Sequence, residues 1–328
     1  MDKQGFRTFL QSYNLNKEQI KGSIAIAERF EAYVNEPGRT PSADTAWAFS
    51  RLLIEEGNNS DYNFISLIRY CQFIKNNEMF VALLELVDGG EVNENLYRKV
   101  GENFGIEIRD EVFKGIGVAP YGTPSPEKPA YMHPVIERLE ARVGDEACNE
   151  FLSASLRDLP DEYFLPEQEK YRQAGNLDAY LSQRKRAFVT QLEECLREGH
   201  LFFAQEITKE VLDFVDSDPE MGGGRREGNI IYETKIPYMA KQYLAETDPT
   251  LRRYYACHCP WARDAVKNGN VKLAKIFCQC SGGFHKKPFE VIFERHLKVE
   301  VLESVLKGDS RCRFAIYLPE EAFEGKGK

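Results

Sequence analysis

The stretch DSDPEMGGGRREGNIIYETKIP, residues 216–237, is where the character of the chain changes. Residues 216–229 read as a glycine-rich loop, and the run from Asn229 to Pro237 that follows leans toward β structure. Three more runs of that kind follow: RRYYACHC (252–259), LKVEVLESVL (297–306) and CRFAIYLP (312–319). Helical pieces such as PYMAKQYLAE (237–246) and PFEVIFERH (288–296) separate them, and residues 307–310, Lys-Gly-Asp-Ser, read as a hairpin turn joining the last two runs.

Upstream, from Gly5 to about Gly115, apolar residues recur at three and four, as in KEQIKGSIAIAERFEAYV (17–34) and DYNFISLIRYCQFIKNN (61–77). Asn16 and Ser42 are placed to start helices, and Gly57, Gly89 and Gly90 to stop them. The segment VAPYGTPSPEKPAYMHP (118–134) carries five prolines and reads as a linker. Beyond it, 133–144, 145–159 and 176–199 again have helical spacing, the last started by Asn176. The expected fold class is therefore α+β: an all-α domain over 1–117, a Pro-rich linker over 118–134, and a helical lead-in with a cysteine-rich α+β domain and a small antiparallel sheet over 135–328. A short polar tail, 324–328, is expected to fray.

Composition narrows the function classes. The 328 residues hold 43 Lys+Arg against 52 Asp+Glu, a formal charge of −9, which argues against nucleic acid as the default partner. No apolar run reaches the roughly 18–20 residues that cross a bilayer, and the opening MDKQGFRTFLQSYN lacks the basic-then-apolar form of a secretory signal. A cytoplasmic, non-membrane protein is expected, with its thiols reduced or bound to metal.

Five of the eight cysteines fall between 257 and 312: Cys257-His258-Cys259, then Cys278-Gln279-Cys280, then Cys312. If each Cys-x-Cys pair is extended, both its sulfurs face one side. Cys257, Cys259, Cys278 and Cys280 are then candidate ligands for tetrahedral zinc, the one cofactor expected, with His258, His285 and Cys312 in reserve. Alternatively, Cys257 or Cys278 is a nucleophile with His258 or His285 as its base. A third reading makes these cysteines buried apolar residues, which suits a single cysteine better than a doubled pair. Over 250–300 ten basic side chains face four acidic ones, a net +6 inside an acidic chain. That island is expected to lower thiol pKa values and to attract a small anionic molecule, with Arg253 or Arg263 holding its carboxylate. Gly222–Gly223–Gly224 followed by Arg225 and Arg226 could wrap an anion, but reads more simply as a flexible connector.

The order Cys257-His258-Cys259-Pro260, Phe277-Cys278-Gln279-Cys280 and Gly308-Asp309-Ser310-Arg311-Cys312-Arg313-Phe314 resembles the L-2-amino-thiazoline-4-carboxylic acid hydrolase-like family and the related vinyl-reductase-type domains, over roughly 185–320. The resemblance implies an α+β domain binding a small ligand in a cysteine-lined pocket, and in one branch the hydrolytic opening of a thiazoline ring. This chain departs from it in its doubled Cys-x-Cys pairs and its long helical N-terminal extension. The helices TAWAFSRLLIEEG and FISLIRYCQFI resemble the core-binding domain of tyrosine recombinases, implying a DNA-associated or interaction module. Residues 1–110 hold 12 basic and 17 acidic side chains, however, and no histidine has an arginine three residues on. The likeness is therefore read as one of helical shape, with DNA disfavoured as a partner.

Overall fold

The computed structural model of the protein describes residues 1–269 and 272–319, so the expected polar tail lies outside the described residues. The chain opens with helices α1 (Lys3–Gln11), α2 (Lys17–Val34), α3 (Ala43–Glu55), α4 (Asp61–Phe73) and α5 (Asn77–Val87). Asn16 starts α2 through a capping box: its side chain accepts from Gln19 N at 2.9 Å while Gln19 Oε1 accepts from Asn16 N at 2.9 Å. Ser42 caps α3 in the same sense, and Gly57 and Gly89 end their helices at positive φ. Phe6, Phe30, Phe49, Phe64 and Leu83 meet in one core, which ends at Leu86.

A second core begins at Val92 and draws on α6 (Val92–Phe104), α7 (Ile106–Phe113), α8 (Lys128–Val143) and α9 (Asp145–Ser153), together with residues 243–277 and Val305. The proline-rich segment between α7 and α8 is packed in place: Ser50 Oγ donates to Gly122 O at 2.6 Å, Asn59 to Tyr121 O at 2.9 Å, and the Tyr121 hydroxyl to Asp61 at 2.7 Å. Its last residues lie inside α8, and Lys128, 1% exposed, donates to Glu85 O at 2.7 Å.

The remaining helices are α10 (Leu165–Ala174), α11 (Leu177–Glu198), α12 (Lys209–Ser217), α13 (Ala240–Ala245), α14 (Pro249–Ala256), α15 (Arg263–Lys267) and α16 (Gln279–Phe293). Strands β1 (Leu201–Phe202) and β2 (Gln205–Glu206) form a small hairpin. Strands β3 (Arg225–Glu227), β4 (Ile230–Thr234), β5 (Lys298–Glu303) and β6 (Arg313–Tyr317) form an antiparallel sheet in the order β3-β4-β6-β5. The protein is thus an α+β fold with a helical N-terminal region. One face of the sheet, with Ile231, Val299, Val301, Phe314 and Ile316, buries against α11 and α16. Among the described residues no helix is long and apolar enough to cross a membrane.

Three local expectations are corrected. RRYYACHC does not form a strand: its first part is α14, because the Asp248 side chain accepts from the N–H groups of Thr250 and Leu251 and Pro249 supplies a preset φ at the first helical position. Cys278 and Cys280 do not lie on an extended chain either, since they end a 3₁₀ turn and begin α16. The triple-glycine segment is no flexible connector. Gly222 and Gly224 have φ of +77° and +87°, and a Cβ on Gly223 would lie 2.8 Å from the Leu181 carbonyl oxygen. Arg226 is bound there in a two-pronged pair with Asp178, at 2.8 and 2.7 Å.

Candidate functional site

The five clustered cysteines meet where the helical core adjoins the sheet core. Cys257, Cys259 and Cys280 pack into the former, Cys278 into the latter and Cys312 against both. Each arrives by a different local device. Cys257 caps the C-terminus of α14, its N–H bonded to Tyr254 O, and is 4% exposed. Cys259 turns the chain into α15, its carbonyl accepting from Ala262 N and Arg263 N at 3.0 and 2.9 Å. Cys278 precedes α16, and the Ser304 hydroxyl donates to its sulfur at 3.0 Å. Cys312 lies just before β6, where its carbonyl accepts from Lys235 N at 3.0 Å and continues the β4–β6 ladder by one step.

Lys235 is the cation shared across this cluster, with Arg157 adding its charge at Cys259 and Cys280. Its charge acts on Cys259, Cys278, Cys280 and Cys312 and on both His258 and His285. Among the described residues its ammonium group has no carboxylate or carbonyl partner. Even so, the expectation of lowered thiol pKa values is reversed. Burial pushes Cys278 up to about 12 and Cys280 to about 11, and it raises Cys257, Cys259 and Cys312 as well. Removing a thiolate from water outweighs the pull of Lys235 and Arg157, so the resting thiols are protonated at neutral pH.

The histidines are held by different partners. His258 Nε2 lies 2.6 Å from the Ile236 carbonyl oxygen; a carbonyl can only accept, so this nitrogen carries the proton. Burial, with Lys235 adding to it, drops the pKa of His258 to about 3. His285 Nδ1 lies 2.6 Å from Glu233 and its ring stacks on Phe314, centroids 4.5 Å apart. Glu233 also pairs with Arg184, which with His285 offsets its burial and holds its carboxyl down to about 2. The Glu233–His285 pair orients an imidazole as carboxylates do in metal and acid–base sites. Sequence reasoning missed Glu233. The signal was a carboxylate two residues after Ile231, in phase with the buried face of β4.

The structure gathers Cys257, Cys259, Cys278, Cys280 and His258 into one region. Among the described residues, though, no three His, Cys, Asp or Glu side chains converge closely enough to hold a metal ion. The two arginines expected to bind a carboxylate have other partners. Arg263 is 3% exposed, pairs with the buried Glu85 and lies over the rings of Tyr238 and Tyr254, while Arg253 donates to Thr250 Oγ1 at 3.2 Å.

A cleft of about 310 Å³ opens beside the cluster, with Phe214, Met221, Lys235, Tyr243, Ser310 and Cys312 in its wall. It adjoins a second hollow of about 330 Å³ that shares Phe214, Asp218 and Arg311 and adds Arg225 and Glu220. Two of the three acidic groups of these walls are tied to guanidiniums, while the third, Asp218, accepts from Glu220 N at 2.8 Å and stands 4.0 Å from Arg311. Glu303 takes two bonds from Arg311, at 3.1 and 2.9 Å, and Glu220 two from Arg313, both at 2.7 Å. Of the five clustered cysteines, Cys312 is the one in the cleft wall.

Residues 238–323 match a family of unknown function, DUF6144; the matched segment holds all five clustered cysteines. No curated protein and no solved structure matches the chain.

Proposed function

We propose that the protein binds a small anionic molecule in the cleft between Lys235, Tyr243 and Cys312, with the cysteine cluster forming the inner end of that site. The observation that carries this reading is the pairing pattern. Glu303 and Glu220 are bound to arginines, Asp218 is engaged by Glu220 N with Arg311 4.0 Å away, and the Lys235 ammonium, without a carboxylate partner among the described residues, supplies the available positive charge. The volume suits a compact ligand. Hydrolysis with Cys257 or Cys278 attacking and His258 as base is supported less well. Neither thiol is in the cleft wall, and His258 Nε2 is engaged with Ile236 O.

The test is the alkylation of Cys312 by iodoacetate and by neutral iodoacetamide, mapped by peptide mass and normalised to a free small thiol. Iodoacetate is expected to be favoured, and Lys235→Met to reduce that preference by about fivefold, corresponding to the roughly 1 kcal/mol of one unscreened charge in water-like surroundings. Equal preference in the two proteins would refute the anion site.

A further inference from the structure

We propose that Cys312 and Cys278 form a thiol–disulfide exchange pair, in which Cys312 meets a small disulfide in the cleft and Cys278 resolves the mixed disulfide from behind. The proposal rests on the cleft reading for access and goes beyond it in assigning a reaction. Cys312 is part of the cleft wall while also packing on the sheet core, and Cys278 packs on that same core. Cys278 is held at the start of α16, and its sulfur accepts the Ser304 hydroxyl at 3.0 Å, a bond that stabilises developing negative charge on sulfur. Cys312 lies one residue before β6, where the ladder bond from Lys235 N fixes its backbone at the cleft wall. Lys235 acts on both sulfurs and is bonded through its backbone to Cys312 O.

The Cys312 sulfur, giving up its proton, attacks one sulfur of RS–SR; a Cys312–SR bond forms and RS⁻ leaves. The Cys278 sulfur then attacks the Cys312 sulfur, a Cys278–Cys312 disulfide forms and the second RS⁻ leaves. The two cysteine protons end on the two released thiols. The protein loses two electrons in this exchange and the low-molecular-weight disulfide gains them.

The experiment treats the reduced full-length protein with dithiodipropionate, a dianionic disulfide, and separately with neutral bis(hydroxyethyl) disulfide. Reactions are quenched with acid and the linked peptides mapped. Wild-type protein is expected to yield a Cys278–Cys312 bond without a lasting adduct. Cys278→Ala should accumulate the mixed disulfide on Cys312, and Cys312→Ala should lose the reaction. The wild-type map stands whether or not either variant folds. A stable adduct on Cys312 in wild-type protein, a disulfide joining any other pair, or an unreacted Cys312 with both reagents overturns the pair. Formation of the bond at equal rates with both reagents supports the pair while counting against the anion preference of the cleft.

Discussion

His258 is a histidine that stays neutral. Its pKa in the fold, about 3, lies below its ordinary value of 6.5, so as pH falls the unfolded chain takes up the proton first. The stability this neutral ring carries is complete above 6.5 and is lost progressively as pH falls toward about 3. Replacing it with a neutral donor that can still reach Ile236 O removes that slope. His258→Gln is expected to show a flatter pH dependence of the urea midpoint through this window than wild-type protein, and parallel curves would contradict the assignment. Glu233 responds in the same direction at lower pH. Its carboxyl, held down to about 2 by Arg184 and His285, contributes stability above 4.5 that is lost as pH falls toward about 2.

Among the elements, α16 is the one on which the site depends, for it carries Cys280 and His285 and follows directly from Cys278. Its close packing is made by glycines. A Cβ on Gly283 would lie 2.4 Å from the Ser153 carbonyl oxygen and 2.7 Å from Ser155 N, both backbone atoms that cannot turn aside. Gly283→Ala is therefore expected to cost on the order of 1–3 kcal/mol, measured by denaturant unfolding, and to raise the reactivity of Cys280 as α16 lifts away from the end of α9. Helix α14 shows why the Cys-x-Cys spacing alone misled. Composition favoured a strand, but an Asp-Pro start commits the segment to a helix, and Cys257 and Cys259 then follow a helix end. Asp248→Ala should lower stability by about 1 kcal/mol in the same measurement.

At the scale of the whole molecule, the last turn of α5 and the turn after it are clamped by groups from the cysteine-bearing half. Arg263 pairs with Glu85, Trp261 Nε1 donates to Gly89 O at 2.8 Å and Arg157 reaches Asp88 at 2.8 Å. The clamp adjoins the cluster, since Arg157 also acts on the Cys259 and Cys280 sulfurs. Removing Glu85 leaves a guanidinium buried without its counter-charge, which costs about 3–5 kcal/mol where such pairs have been broken. Glu85→Ala should therefore destabilise the protein by about that amount in urea, and a change under about 1 kcal/mol would mean that the pair is dispensable.

Local chemistry is what the residues alone made legible. Helical spacing, the caps at Asn16, Ser42 and Asn176, and the hairpin expected at 307–310 each depend on neighbours within a few residues; the caps and the hairpin stand in the structure, the connection running over 304–312. The α+β class follows from the same signals, because the change from helical spacing to β-leaning composition is written locally. The composition of the site was partly legible too, in the clustering of the cysteines. Its wiring was decided by tertiary contact. Arg263 reads as a free cation until Glu85, far away in the chain, is placed against it, and Lys235 reads as an ordinary strand-end lysine until β6 brings Cys312 beside it. The sign of the thiol shift was likewise a property of burial, and burial depends on which distant surfaces close over a sulfur.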